Sequence, residues 1–177
     1  MTASTPTRTD PERADLLAGL GAARHFLRFT VRDLTDEQAR QRTTASELTL
    51  GGLIKHVAAV EQGWADFVVD GPSAMTDYSA MTEDDVANWA DQFKLLPGET
   101  LDGVLAGYEK VAQRTDDLVA SLPDLNLSHP LPNAPWFPPG ERRSARRVFL
   151  HIIAETAQHS GHADIIRESL DGAKSMG

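Results

Sequence analysis

Glu155 and His159 stand four residues apart in the chain, and both are side chains that bind metal ions in proteins. Residues four apart on an α-helix lie side by side. The segment around them has an apolar stripe at helical spacing, formed by Val148, Ile152, Ala163, Ile166 and Leu170. At about 100° per residue, His159 falls about 20° and Glu155 about 60° from the centre of this stripe. Both side chains are therefore predicted to face the interior of the protein.

A second helical segment supplies a third potential ligand, His56. The apolar stripe of this segment consists of Leu53, Val60, Trp64 and Phe67. His56 lies about 40° from the centre of that stripe. Burying an ionised carboxylate without a partner is costly, so Glu155 needs a cation beside it. A divalent metal between the two helices would supply the charge. A buried polar network, in which a protonated histidine or an arginine pairs with Glu155, is the alternative that spacing leaves open.

Two further histidines on the last segment create rival pairs. His151 stands four residues before Glu155, and His162 stands three residues after His159. By the same angular count both lie on the flank of the apolar stripe, about 80° away for His162 and about 100° away for His151. We therefore expect neither to be a metal ligand. His162 is a candidate for orienting a ligand or carrying a proton, with a surface role as the alternative.

Helical periodicity predicts an all-α protein with four long helices, and hence a four-helix bundle. The predicted helices run approximately over residues 11–33, 49–70, 100–123 and 144–172. Thr35 with Gln38 resembles the capping box of a short helix after the first. Thr82, followed by three acidic residues, predicts another short helix that runs through Phe93.

A proline-rich stretch separates the last two predicted helices. Residues 122–140 contain six prolines, which exclude a helix and predict a long ordered loop. Trp136 and Phe137 in this loop are expected to pack over the end of the bundle, or else to form a wall of the pocket. The run 141–147 then brings four arginines close to the start of a helix, where the helix dipole disfavours cations. A solvated cluster, an anionic substrate group and a contact between subunits are the interpretations we keep.

Length and composition exclude several kinds of site and partner. The 177 residues predict a flexible tail over residues 1–10 and a single domain over 11–177. The absence of cysteine excludes thiolate metal sites, disulfides and thiol nucleophiles from the protein itself. A formal charge of -9 argues against nucleic-acid and anionic-membrane partners. No apolar run reaches the roughly 20 residues of a membrane span, and the first residues do not resemble a secretory signal, so we expect a cytoplasmic protein.

Two runs of sequence resemble the DinB-like superfamily of metal-binding four-helix bundles. They are GGLIKHVAAVE at 51–61 and HIIAETAQHSGHAD at 151–164. The common form of that superfamily has three histidine ligands, whereas Glu155 occupies the middle position here. This substitution is similar to the branch that contains mycothiol-dependent maleylpyruvate isomerase, whose zinc is held by two histidines and a glutamate. The resemblance thus implies that His56, Glu155 and His159 are the metal ligands.

The resemblance also implies an activity. The isomerase has a further C-terminal domain, and this sequence ends shortly after its fourth helix, so the expected class is the smaller thiol-dependent transferases. We expect a metal-dependent S-transferase that joins a low-molecular-weight thiol of the mycothiol type to an electrophilic small molecule, with a homodimer through helix faces as a further expectation. Zinc is expected first, and nickel, iron or manganese would suit the same ligands. A metal-dependent hydrolase, a non-catalytic metal-binding stress protein and a bundle without metal are the alternatives.

Overall fold

Four long helices and a small hairpin make up the computed structural model, which describes residues 10–75, 82 and 91–175. The helices are α1 (Pro11–Phe29), α2 (Asp36–Arg40), α3 (Leu50–Asp70), α4 (Leu101–Ser121) and α5 (Ala145–Asp171), and the strands are β1 (Ser128–Pro130) and β2 (Arg142–Ser144). A single 3₁₀ turn, Gly71–Ala74, follows α3 directly. Helix α5 packs on α1 and α3, and α3 also packs on α4. The predicted all-α, four-helix architecture is confirmed.

Side-chain caps fix where these helices begin. The Thr100 hydroxyl accepts a hydrogen bond from the backbone N–H of Gly103, and the Ser144 hydroxyl accepts one from Arg147, as the sequence predicts. The predicted capping box of Thr35 and Gln38 is formed at the start of α2. Helix α5 ends at Gly172, whose φ of 79° is readily adopted only by glycine.

Helix α1 is shorter than predicted. It ends at Phe29, and residues 30–33 form turns instead of continuing to Asp33. The cause is Arg167 of α5, whose Nη1 donates to the carbonyl oxygens of Thr30 at 2.9 Å and Arg32 at 2.7 Å. These two carbonyls turn toward a buried guanidinium, and burial of that charge favours the hydrogen-bonded turn over another helical turn.

The apolar core consists of two clusters stacked along the bundle. One includes Leu27, Val31, Leu53, Val57, Tyr108, Ala163 and Ile166. The other includes Leu16, Leu20, Trp64, Phe67, Val119, Phe149 and Ile152. Each of the long helices α1, α3, α4 and α5 therefore contributes residues to both clusters. Polar residues lie on these helices between the two clusters.

A buried ion pair lies in this polar belt between the clusters. Arg24 Nη2 lies 2.5 Å from Glu61 Oε1, and Arg24 Nη1 lies 2.8 Å from Asp116 Oδ1. Glu61 is fully buried, with 0% of its surface exposed. Burial alone would lower the pKa of Arg24, but the carboxylates of Glu61 and Asp116 outweigh it and raise the pKa. No sequence pattern predicted this pair.

The proline-rich stretch is non-helical, as predicted, but it contains the short strand β1, which pairs antiparallel with β2 just after the stretch; neither strand was predicted. Their register places His129 opposite Arg143. The Nε2 atom of His129 lies 3.2 Å from the carbonyl oxygen of Val68, near the end of α3. Gly71, with a φ of 70°, leaves room for this ring, because a Cβ there would lie 2.8 Å from His129 Nδ1. The hairpin is thereby attached to the end of α3.

Some predictions fall on residues outside the described ranges. They are the tail, of which residues 1–9 are not described, and the helix predicted from Thr82 to Phe93, of which 83–90 are not described. The single domain over residues 11–177 stays a prediction. None of the helices in the described part of the chain combines the length and the apolar character of a membrane-spanning segment.

Candidate functional site

Helices α3 and α5 bring two of the predicted ligands together. His56 of α3 is buried, with 8% of its surface exposed. The side chain of His159 of α5 is 13% exposed. The two ring centroids lie 4.9 Å apart, and the rings meet edge to face at 80°. Histidines that are 103 positions apart in the chain thus share one small volume between the helices.

The ring of His56 is enclosed from its other side by Phe93. The two rings are stacked with centroids 4.1 Å apart. Gly52, one helical turn before His56, permits this arrangement, because the carbonyl oxygen of Phe93 would lie only 1.8 Å from a Cβ at that position. The close approach of backbone to α3 places an aromatic ring over the histidine and excludes water from it.

One nitrogen of His56 has no protein partner in the part of the chain that the structure describes. This atom, Nδ1, is buried and makes no hydrogen bond. Burial, and to a lesser degree the neighbouring His159, lowers the pKa of His56 to about 4. His56 is therefore neutral near pH 7, which is the form that binds metals.

Glu155 lies between two histidines of its own helix. Its Oε2 is 3.6 Å from His159 Nε2, and its Oε1 is 3.7 Å from His151 Nε2. The structure thus brings Glu155 together with its predicted partner His159 and also with His151, its rival partner from the spacing. The Glu155 side chain is 30% exposed, so the carboxylate lies at the border of the core and is less buried than the angular count suggested. Solvent or a small ligand can reach this side of the site.

His162 contacts the far side of His159. The Nδ1 atoms of the two rings lie 3.4 Å apart, within hydrogen-bonding distance if one of them carries the proton. This contact engages Nδ1 of His159 and leaves its Nε2 beside Glu155. A hydrogen bond to the remote nitrogen is the usual way in which proteins orient a metal-binding histidine.

Burial also lowers the pKa values of His159 and His151. For His159 the neighbouring His162 adds to the effect of burial. For His151 the carboxylate of Glu155 opposes burial, while the charges of Arg143 and Arg147 lower its pKa further. The histidines around Glu155 are therefore held mainly in the neutral form near pH 7.

An aromatic wall lies beside His151 and was only partly predicted. The Trp64 and His151 ring centroids are 4.9 Å apart, and those of Trp64 and Phe137 are 6.4 Å apart. The guanidinium carbon of Arg143 lies 4.8 Å from the Trp64 centroid and 5.2 Å from that of Phe137. Phe137 thus packs against the bundle beside the site. The role of Arg143 had no signal in the sequence other than its membership of the arginine cluster.

The residues present fit a divalent metal in chemical type. His56, Glu155 and His159 offer neutral imidazole nitrogens and a carboxylate oxygen, and one of the nitrogens is buried without a partner. As the side chains stand, however, residues 10–75, 82 and 91–175 contain no group of three or more histidine or acidic side chains positioned to hold a metal ion. The contacts described above join the predicted ligands in pairs, His56 with His159 and His159 with Glu155, so the side chains would have to rearrange to bind one ion.

A comparison with models of known protein families matches residues 15–172 to the model described as Mycothiol-S-transferase. The chain belongs to the mycothiol S-transferase family. The match begins within α1 and extends to the residue that ends α5, so most of α1, the other three long helices and the predicted ligands lie inside it. It confirms the resemblance to the mycothiol-related branch of the DinB-like superfamily. A search of curated proteins finds no match.

Proposed function

We propose that this member of the mycothiol S-transferase family transfers a low-molecular-weight thiol of the mycothiol type to an electrophilic small molecule, at a divalent metal held by His56, Glu155 and His159. One observation supports this proposal above the others. Two neutral histidines from different helices meet beside a carboxylate that no lysine or arginine among the described residues pairs with within 4 Å. Zinc suits this set of ligands, and nickel, iron or manganese would also bind it.

A bound divalent metal would lower the pKa of a thiol at this position and so supply a thiolate near pH 7. The protein's own residues prepare the site. His162 orients the ring of His159 through the contact between their Nδ1 atoms. Phe93 covers the ring of His56 and excludes water from that side.

The exposed side of Glu155 is where the substrates would meet. There the thiol loses its proton, and a sulfur lone pair forms the new S–C bond with the electrophilic carbon. The electron pair of the broken bond departs with the leaving group; when the electrophile is an activated double bond, the π pair instead takes up the proton that the thiol lost and becomes a C–H bond. His151 Nε2, 3.7 Å from Glu155 Oε1, is placed to accept the thiol proton.

The first experiment measures metal content by elemental mass spectrometry on tag-free protein. We expect about one ion per chain in the wild type and its loss in Glu155→Gln and His159→Ala. Two variants serve as controls and should keep the ion. Glu168→Gln makes the same change on the exposed face of α5, where Glu168 pairs with Lys174, and His25→Ala removes an exposed histidine of α1. Absence of any ion after incubation with zinc or nickel would contradict the metal site.

The second experiment tests thiol dependence. The metal-loaded protein is given an alkylating electrophile with and without a thiol, and S-conjugate formation is measured above the uncatalysed rate. We expect turnover only with thiol, and its loss in Glu155→Gln but not in Glu168→Gln. Hydrolysis of an ester or amide in the absence of thiol would instead favour the hydrolase alternative. A metal-loaded protein inactive in both assays would favour a non-catalytic role.

A further inference from the structure

Arg143 is a mostly buried cation at the edge of the proposed site. It lies in β2, immediately before α5, and its side chain is 11% exposed. Its guanidinium rests on the rings of Trp64 and Phe137, at 4.8 and 5.2 Å from their centroids. Stacking of this kind holds the planar group in a fixed orientation while leaving its N–H donors to bind other groups.

The protein satisfies the charge of Arg143 less completely than the charges of two neighbouring arginines. Arg142 donates to the carbonyl oxygen of Ser128 at 2.6 Å. Arg146 forms an ion pair with Glu12 and also donates to the side chain of Asn126 at 2.6 Å.

The contacts of Arg143 itself are weaker. Its ion pair with Glu141 is long, with Nε 3.5 Å from Glu141 Oε1. Its Nη1 is buried and has no hydrogen-bond partner among the described residues. A buried N–H donor of a charged group that has no acceptor is destabilising, because the group has lost its hydration and gains no hydrogen bond in return. Among the described residues, the charge of Arg143 is therefore only weakly matched by an anionic partner.

Arg143 is also connected to the proposed site through one aromatic ring. Trp64 contacts the guanidinium of Arg143, and its centroid lies 4.9 Å from that of His151. His151 in turn lies next to Glu155. The positive charge of Arg143 is near enough to contribute to the lowered pKa of His151. A molecule bound to Arg143 would thus be separated from the Glu155 carboxylate by the rings of Trp64 and His151.

We propose that Arg143 binds a carboxylate carried by one of the small molecules that react at this site. A carboxylate matches the planar fork of a guanidinium and forms two charge-assisted hydrogen bonds with it. The carboxylate would favour substrates long enough to reach from Arg143 past the rings of Trp64 and His151 to the Glu155 side of the site. The inference rests on the proposed function for the identity of the site, but its first test does not.

The first test compares binding of benzoate and benzamide, which differ in charge but little in shape. Affinities for the purified protein, both with and without added zinc, are measured by calorimetry or by ligand-observed NMR. We expect the wild type to prefer benzoate by at least about tenfold, the effect of one charge-assisted contact. Arg143→Gln should lose that preference, and Arg142→Gln, which removes the same charge one residue away, should keep it.

Three outcomes would overturn the inference. They are equal binding of benzoate and benzamide by the wild type, a preference that survives in Arg143→Gln, and an equal loss in Arg142→Gln. A preference that survives in Arg143→Gln would mean that benzoate binds the metal and not Arg143. Arg143→Lys keeps the charge without the planar fork and should retain part of the preference. Melting temperatures of all variants show whether they fold. Because no thiol and no turnover are involved, failure here is distinct from failure of the proposed transferase activity.

A second test identifies which substrate carries the carboxylate. S-conjugate formation is measured with an electrophile that bears a carboxylate and with its methyl ester, using one thiol. The complementary arm compares N-acetylcysteine with its methyl ester, using one uncharged electrophile. We expect Arg143→Gln to raise KM by about tenfold for the acid in one of the two arms, with little change for the corresponding ester. Equal effects on acid and ester in both arms would contradict the inference.

Discussion

Substitution of Gly52 by alanine should disturb both the fold and the site. A Cβ at this position would lie 1.8 Å from the carbonyl oxygen of Phe93 and 2.3 Å from its carbonyl carbon. Both atoms belong to the backbone, so a side-chain rotation cannot relieve the clash. The segment that carries Phe93 must move away from α3, and the ring stacked on His56 must move with it.

Two opposing effects decide the size of the change. Alanine is favoured over glycine inside a helix by about 1 kcal/mol, whereas overpacking that displaces backbone costs about 1–3 kcal/mol. Gly63 is the matched control, because it lies in the same helix and a Cβ there would meet nothing within 4 Å. Gly63→Ala should therefore gain up to about 1 kcal/mol. Gly52→Ala should be the less stable of the two variants by about 1–3 kcal/mol.

Urea denaturation gives the free energy of unfolding of each variant. The m-value is measured for each variant and is not assumed to be equal. Thermal melting gives a second measure, since each kcal/mol corresponds to about 2–4 °C for a chain of this size. Metal content then reports on the site, and we expect Gly52→Ala to bind the ion more weakly than Gly63→Ala. If Gly52→Ala were as stable as Gly63→Ala and bound metal equally well, the close packing of the Phe93 backbone on α3 would be refuted.

Two further predictions concern charged pairs. Arg24→Met should cost about 3–5 kcal/mol of stability, because it leaves the fully buried carboxylate of Glu61 without its cation; a loss below about 1 kcal/mol in urea denaturation would contradict the buried pair. The second prediction concerns Glu99, which accepts hydrogen bonds from Lys55 Nζ at 2.8 and 2.9 Å. Burial alone would raise the pKa of Glu99, but the bonds from Lys55 and the backbone lower it overall. A folded-state pKa below the unfolded one stabilises the protein above about pH 4.5, and this contribution is lost as the pH falls through the folded value. The stability difference between wild type and Glu99→Gln should therefore shrink from pH 6 to pH 3, by less than about 1 kcal/mol, and a difference that grows toward acid pH would refute the assignment.

The helices were predictable because their signals are local. Thr100 and Ser144 form the predicted caps, and the glycine at 172 ends α5 where expected. The exception is instructive. The end of α1 depends on Arg167, a residue 138 positions after Phe29, and no pattern within residues 11–33 contains that information.

The candidate site was predictable to a similar degree. The period of a helix places Glu155 beside His159, and apolar stripes place His56 and His159 on the inner faces of their helices. The angular position on the helix underestimated the exposure of Glu155, because it refers to the centre of a whole apolar stripe and cannot locate the edge of the core. It also placed His151 on the flank without revealing its contacts with Glu155 and Trp64.

The residues that lie outside the helices were beyond sequence reasoning for a different reason. Phe93 reaches His56 because Gly52 lets its backbone approach, and Arg143 reaches Trp64 because β2 pairs with β1. Each contact joins segments that are distant in sequence and have no periodic pattern. Buried Glu61 was missed likewise, since a carboxylate within an apolar stripe reveals no partner until the helices are packed.

This division between helices and connecting segments also separates two properties of the proposed enzyme. The predicted ligands lie on α3 and α5, which share a large interface and hold their side chains in place. Arg143 and Phe137 come from the hairpin and its loop, and in the described part of the chain both contact Trp64 beside the site. Changes at Glu155 or His159 should therefore alter metal content and remove activity together. Changes at Arg143 should alter KM for a carboxylate-bearing substrate while the metal content stays the same, because no contact of the guanidinium reaches a predicted ligand directly among the described residues.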